Sequence, residues 1–256
     1  MSSQIRSVFK TILALSMLTP LATLHAEDVC PKGRNPAVFL PHARDTLQRG
    51  VDELVIVALG SSSTQGAMAS NEGSSFPALL QADLSAAFPT AHVAVLNRGI
   101  GGQDAAEEVL RLDADAIAVK PAIVIWQVGA NGAMRNSDPE VFRKLVAAGI
   151  ERMQAAGIDV LLMDNQRSPK ILAAPEHLVI DQTLETLAKQ YRISDFSRGS
   201  LMDTWMLNGA PYERFVAADG LHHNDLGYRC LAQALSQSIA DGLMGRPDNS
   251  FADARP

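Results

Sequence analysis

The chain has 256 residues, 47% of them hydrophobic and 20% charged, and a formal net charge of −6 from 22 Lys and Arg against 28 Asp and Glu. That globular balance excludes a wholly disordered chain and a collagen-like fibre. The acidic sum argues against a dedicated nucleic-acid binder, which would carry a basic excess.

The N-terminus departs from the rest in charge. Residues 1–26 contain Arg6 and Lys10 and no acid. A short positive region precedes the apolar stretch Thr11–Leu24, which is broken at Pro20, and His25-Ala26 then offers a small residue for cleavage before Glu27. This reads as a signal peptide over residues 1–26 and predicts a secreted or periplasmic protein. The run is shorter than the roughly 20 apolar residues of a spanning helix, so no stable membrane insertion is expected. Cys30 follows Glu27-Asp28-Val29, not the small apolar residues expected before a lipidated cysteine. Cys30 and Cys230 are the only two cysteines. In an oxidising compartment they can pair and tie the mature N-terminus to the last helix. The alternative is two unpaired thiols, one of them buried.

Strand-like and helix-like segments alternate through residues 27–256, which read as a single domain. Leu54–Gly60, His92–Asn97, Ala122–Gly129 and Ile158–Asp164 are apolar throughout, and a weaker fifth run lies at Arg192–Phe196. Continuous apolar character predicts strands buried on both faces. Between and after them, helical patterns cover Ser75–Phe88, Gln103–Val119, Pro139–Ala156, Pro175–Gln190 and Asn224–Leu243. Repeated β–α units predict an α/β fold, a parallel sheet with helices on both faces. The tail from Gly245 to Pro256 is polar and is expected to fray.

Reactive surfaces of open parallel sheets lie beyond the C-terminal strand ends. After the first strand comes Gly60-Ser61-Ser62-Ser63-Thr64, and after the second Asn97-Arg98-Gly99-Ile100-Gly101-Gly102. After the third comes Gly129-Ala130-Asn131-Gly132, and well after the fifth Asp219-Gly220-Leu221-His222-His223. A serine becomes a competent nucleophile when a histidine takes its proton and a carboxylate orients that histidine. Asp219 and His222 are three residues apart, close enough for one turn of chain to set them side by side. Gly102 offers an unobstructed backbone N–H and Asn131 a side-chain amide to a developing oxyanion. The residues alone leave Ser61, Ser62 and Ser63 open as nucleophile.

Each element also has a plainer explanation: turn or helix cap for the serines, tight turn for the glycines, surface position for His222, with His223 a neighbour exposed by the same turn. Dinucleotide binding fits poorly, because Asp104 stands where G-x-G-x-x-G needs its last glycine. Zinc held by Asp219, His222, His223 and Asp225 is a further alternative, without H-E-x-x-H or a cysteine cluster.

The four blocks resemble those of the SGNH, or GDSL-type, serine hydrolases. The resemblance spans about residues 54–240 and implies a three-layer α/β/α sandwich around a mostly parallel five-stranded sheet, flavodoxin-like in topology. It implies Ser62 as nucleophile, Asp219 and His222 as its triad partners, and Ser62 N–H, Gly102 N–H and the Asn131 amide as the oxyanion hole. No metal or organic cofactor is implied. Ser61 and Gly132 stand where the pattern has aspartates, which leaves the triad intact. The α/β-hydrolase elbow G-x-S-x-G is a poor fit, since Thr64 occupies its last position.

The expected activity is esterase action through an acyl-enzyme on a small ester or acylated carbohydrate, with O-acetyl or short-acyl groups first. An envelope-polysaccharide acyltransferase, a lipase or thioesterase and a non-catalytic carbohydrate-binding module are the alternatives. An imidazole base predicts activity that rises with pH as the ring loses its proton. Trp205, Tyr212 and Phe215 have two readings, pocket lining or core, and Arg135 likewise has two, anion recognition or a solvated loop. Oligomeric state is not legible.

Overall fold

The structure, a computed structural model, describes residues 30–33, 36–50 and 53–245. The signal-peptide reading of residues 1–26 and the tail 246–256 lie outside the described residues.

The apolar runs form strands β1 (Glu53–Gly60), β2 (His92–Gly99), β3 (Ile123–Gln127), β4 (Asp159–Met163) and β5 (Ser194–Phe196). They make one sheet in the order β2-β1-β3-β4-β5, and every pair is parallel. Because side chains alternate across a strand, each run feeds two cores. Ile56, Ile125 and Leu161 face one side with helices α1 (Pro41–Gln48), α3 (Phe76–Ala87), α9 (Arg198–Leu207) and α10 (Asp225–Leu243). Val57, Val124 and Leu162 face the other with α4 (Ala105–Asp115), α6 (Pro139–Ala155) and α8 (His177–Tyr191). Burying a side chain of this size contributes about 1.5–3 kcal/mol. The central strands β1, β3 and β4 are stabilised on both faces, whereas the edge strand β2 alternates buried and part-exposed residues along its first half.

Short helices α2 (Ser62–Gln65), α5 (Ala130–Met134) and α7 (Pro169–Leu172) occupy segments that the sequence reads as loops. The expected helix over Gln103–Val119 is shorter. Asp104 caps its start by accepting from the Ala106 and Glu107 N–H groups, and the chain leaves α-geometry at Ala116. Helix α9 was not anticipated, because Gly199, Asp203 and Thr204 dilute its propensity. Its buried Leu201, Met202 and Trp205 pack it onto the core. Trp205 and Phe215 are core residues with ring centroids 4.6 Å apart, and the Tyr212 hydroxyl donates to Asp203.

The cysteines are bonded: Cys30 is joined to Cys230 in α10 across a separation of 200 residues. Further along the chain the Val38 N–H donates to the Ser238 carbonyl of the same helix, while the Lys32 carbonyl accepts from the Asn208 side chain at the end of α9. Among the described residues no helix is long and apolar enough to cross a membrane.

The order β2-β1-β3 places a topological switch at β1, since the chain moves outward to β2 and then returns past β1 to β3. Ligands of such sheets bind in the crevice at the C-terminal strand ends. Gly60 is in register with Gly99 on one side and Gln127 on the other. Three of the four motifs therefore emerge side by side.

Candidate functional site

Ser62 opens α2 directly beyond β1, and its Oγ lies 2.7 Å from His222 Nε2. His222 Nδ1 lies 2.5 Å from Asp219 Oδ2. With Nδ1–H donating to the carboxylate, Nε2 keeps its lone pair for the serine proton. The other Asp219 oxygen accepts the Leu221 and His222 backbone N–H groups at 3.0 and 3.1 Å. Burial opposes ionisation of Asp219, but the hydrogen bonds from the His222 ring and these two N–H groups outweigh it and hold the carboxyl below its ordinary range. The aspartate is therefore an anion fixed at both oxygens.

The turn before Ser62 is fastened to β3. Buried Gln127 accepts through Oε1 from Ser61 N–H at 3.2 Å, Ser61 Oγ at 3.3 Å and Thr64 Oγ1 at 3.1 Å. Ser61, standing where the pattern has an aspartate, thus has a partner of its own. Gly99 is required by close approach: a Cβ there would lie 2.0 Å from the Gln65 backbone nitrogen.

Gly102 adopts φ +82°, a conformation that favours glycine, and a Cβ on it would meet nothing within 4 Å. Among the described residues neither the Ser62 nor the Gly102 backbone N–H donates within the protein. The Asn131 side chain, on α5, donates from Nδ2 to the Gln103 carbonyl at 2.8 Å, which leaves its second amide hydrogen for a ligand. Arg135 follows the loop reading, an exposed turn residue after α5. Its guanidinium donates to the Gly102 carbonyl at 2.7 Å and to Asp104 Oδ2 at 3.1 Å, and so clamps the Gly102 loop.

Arg111 went unnoticed in the sequence. From α4 it donates to the Gly60 carbonyl at 2.9 Å, the Arg98 carbonyl at 2.9 Å and Gln103 Oε1 at 2.6 Å. One side chain thereby joins the ends of β1 and β2 to the loop that holds Asn131. A neighbouring α4 residue, Glu108, is buried and accepts from Trp126 Nε1 at 2.8 Å. Burial pushes its carboxyl up to about 8.

His223 corrects the expectation of an exposed neighbour, since it is fully buried. An isolated antiparallel bridge to Val216 carries its ring inward, where Nδ1 lies 3.2 Å from the Phe215 carbonyl and the ring sits edge-on to Tyr228. Burial, then the charge of nearby Arg198, push its imidazole down to about 3. The zinc alternative fails on this geometry: His223 points into the core, and Asp225 accepts from Ser70 N–H at 2.8 Å. Among the described residues no three His, Cys, Asp or Glu could hold a metal ion.

The loop carrying Asp219 and His222 is held from the segment that follows β4 and from α7. Buried Gln166 donates to the Leu221 carbonyl at 2.8 Å, and Lys170 N–H donates to the Gly220 carbonyl at 3.0 Å. The sequence reading missed this support as well.

A parallel five-stranded sandwich with these blocks at one sheet edge defines an SGNH/GDSL-type hydrolase. The chain belongs to the non-GDSL lipase-like family, whose model matches residues 29–244. The family name suits a first block in which Ser61 replaces the aspartate. The chain is 26% identical over 129 residues to Esterase TesA of Pseudomonas aeruginosa, a match covering 50% of this chain and 60% of TesA. Among solved structures it resembles a two-domain esterase active on acetylated mannans, with a TM-score of 0.70 and 22% identity over 83% of this chain and 56% of the other. It also resembles an acetyl xylan esterase, with a TM-score of 0.62 and 24% identity over 73% of this chain and 100% of the other. The chain thus spans less than two thirds of TesA and of the mannan-active esterase.

Proposed function

We propose that the protein is an exported serine esterase that removes O-acetyl or other short acyl groups from a carbohydrate. The observation that carries the reading is the unbroken chain from Ser62 Oγ to His222 Nε2 at 2.7 Å and from His222 Nδ1 to Asp219 at 2.5 Å. In the first stage His222 takes the Ser62 proton as Oγ bonds to the ester carbonyl carbon. The carbonyl oxygen becomes an oxyanion facing the N–H groups of Ser62 and Gly102 and the Asn131 amide. Collapse breaks the bond to the alcohol oxygen, which leaves with the proton from His222. Water then attacks the acyl-enzyme by the same route and frees the acid.

The acetyl mannan and acetyl xylan esterases among the structural relatives support the carbohydrate substrate. The Cys30–Cys230 disulfide supports export, because such bonds persist in oxidising compartments. Among the alternatives, an acyltransferase would put a sugar hydroxyl in place of water in the second stage. A binding module would not need an oriented histidine on a serine hydroxyl.

The test combines a fluorophosphonate probe with an acyl chain-length series of p-nitrophenyl esters. Stoichiometric labelling of Ser62 and a preference for short chains are expected, with both labelling and turnover lost in Ser62→Ala. Full turnover by Ser62→Ala overturns the assignment, and absence of labelling favours the binding module. Measuring release and transfer together on acetylated oligosaccharides separates hydrolysis from acyl transfer.

A further inference from the structure

Beside the nucleophile, on the outer edge of β2, lies a cleft of about 390 Å³ between β2, α3 and the chain leading into α3. That size is within the range of small-molecule sites, roughly 300–1,000 Å³. Gln65, Glu72, Gln81 and Asn97 supply its polar lining, and Pro77, Ala78 and Val95 its apolar floor. Gln65 links it to the candidate active site. A methyl group placed on Gly101 would lie 2.8 Å from Gln65 Oε1 and 3.9 Å from Ser62 Cβ.

Two lining groups are engaged within the protein, Asn97 accepting the Gly99 N–H through Oδ1 and Ser75 Oγ donating to the Glu72 carbonyl, while Gln65, Gln81 and Glu72 keep capacity for a ligand. Gln81 uses Oε1 to accept the Val95 N–H at 2.8 Å, which leaves its amide hydrogens free. Among the described residues, neither the Gln65 side-chain amide nor the Glu72 carboxylate makes a hydrogen bond or ion pair within the protein. Donors and acceptors thus stand together, as a hydroxylated ligand requires, since each hydroxyl both donates and accepts. No Lys or Arg lines the cleft, and its one charge is the Glu72 carboxylate. An anionic ligand would be repelled. No aromatic ring is present for a base to stack on, and the polar rim does not suit a long acyl chain.

We propose that this cleft is a sugar subsite that receives an uncharged pyranose or pentose ring next to the acylated position, with Gln65, Gln81 and Glu72 contacting its hydroxyls. The proposal rests on the carbohydrate-esterase reading and narrows it to neutral glycans.

The full chain is assayed on p-nitrophenyl acetate, on O-acetylated xylo- and manno-oligosaccharides, and on O-acetylated uronate oligosaccharides. Glu72→Ala removes the carboxylate. Gln81→Glu keeps an acceptor for Val95 N–H while removing the donor, and an unchanged melting temperature verifies its fold. Each variant is expected to raise KM for the neutral oligosaccharides about tenfold, the loss of one ordinary hydrogen bond, and to leave kcat/KM on p-nitrophenyl acetate within about twofold. Glu72→Gln is expected to narrow the preference for neutral over uronate substrates. Equal losses on all substrates, or no change on the oligosaccharides, overturn the subsite alone. A wild-type protein that cleaves p-nitrophenyl acetate but no acetylated oligosaccharide overturns the carbohydrate reading itself, before any variant is made.

Discussion

The nucleophile half of the site and the acid–base half reach the same sheet edge by different means. Ser62, Gly102 and Asn131 each follow a strand within a few residues, so the sheet register carries them together. Gln127 and Arg111 then fix the strand ends. Asp219 and His222 follow β5 only after α9 and a further loop. They are held by loop-to-loop hydrogen bonds from Gln166 and Lys170 and by the buried ring of His223. One half is a property of the sheet; the other depends on contacts made late in the chain. Damage to the two halves should therefore differ in kind.

The largest effect is expected on the acid–base side. Asp219→Asn should lower kcat by about 10⁴-fold, because an amide no longer fixes the productive tautomer of the histidine. Steady-state kinetics on p-nitrophenyl acetate measure this, and near-normal turnover would move the orienting role to another residue.

Next comes the clamp on the nucleophile side. Arg111→Met should release the ends of β1 and β2 together and lower kcat by up to about 10²-fold, the scale of a small misplacement of reacting groups. Arg111→Lys should recover part of the loss. If both variants keep full kcat, register alone positions the oxyanion loop.

Gln166→Leu should act mainly through stability. Leaving the Leu221 carbonyl without its donor costs about 1–3 kcal/mol, which lowers Tm by about 2–12 °C for a domain of this size. An unchanged Tm would mean that the Asp219 loop does not depend on the segment after β4.

The two halves also differ in their pH signature. Folding raises the Glu108 carboxyl from 4.5 to about 8 through burial, so the folded state holds a proton that the unfolded chain has released. Its contribution is fully present below pH 4.5 and is lost as pH rises through about 8. Burial and Arg198 act on His223 in the opposite sense, lowering it from 6.5 to about 3. Its contribution is present above pH 6.5 and is lost as pH falls toward 3. Glu108→Gln should flatten only the alkaline limb of the Tm profile. A parallel loss of slope at acid pH would show that the halves unfold as one electrostatic unit.

Much of the fold was legible because the central strands, buried on both faces, need continuous apolar sequence, and the weaker edge runs also became strands. The expectation of a mostly parallel sheet sharpened to a wholly parallel one. The four blocks were legible as chemistry, yet the residues alone could not choose among three adjacent serines; the resemblance chose Ser62. In the fold, Ser62 is the one whose hydroxyl meets His222, whereas Ser61 and Ser63 are buried. The supporting residues left no local signal. Gln127 is 66 residues from Ser61, Arg111 is 51 from Gly60 and Gln166 is 55 from Leu221.

Sequence by itself determined the strands, the order of the motifs and the residue types that acyl transfer requires, because these follow from hydrophobic patterning and side-chain chemistry. Tertiary structure decided which serine the histidine meets, why His223 points inward while His222 faces Ser62, and which distant arginine and glutamines hold the loops. Those outcomes depend on hydrogen bonds between segments that become neighbours only when the sheet forms.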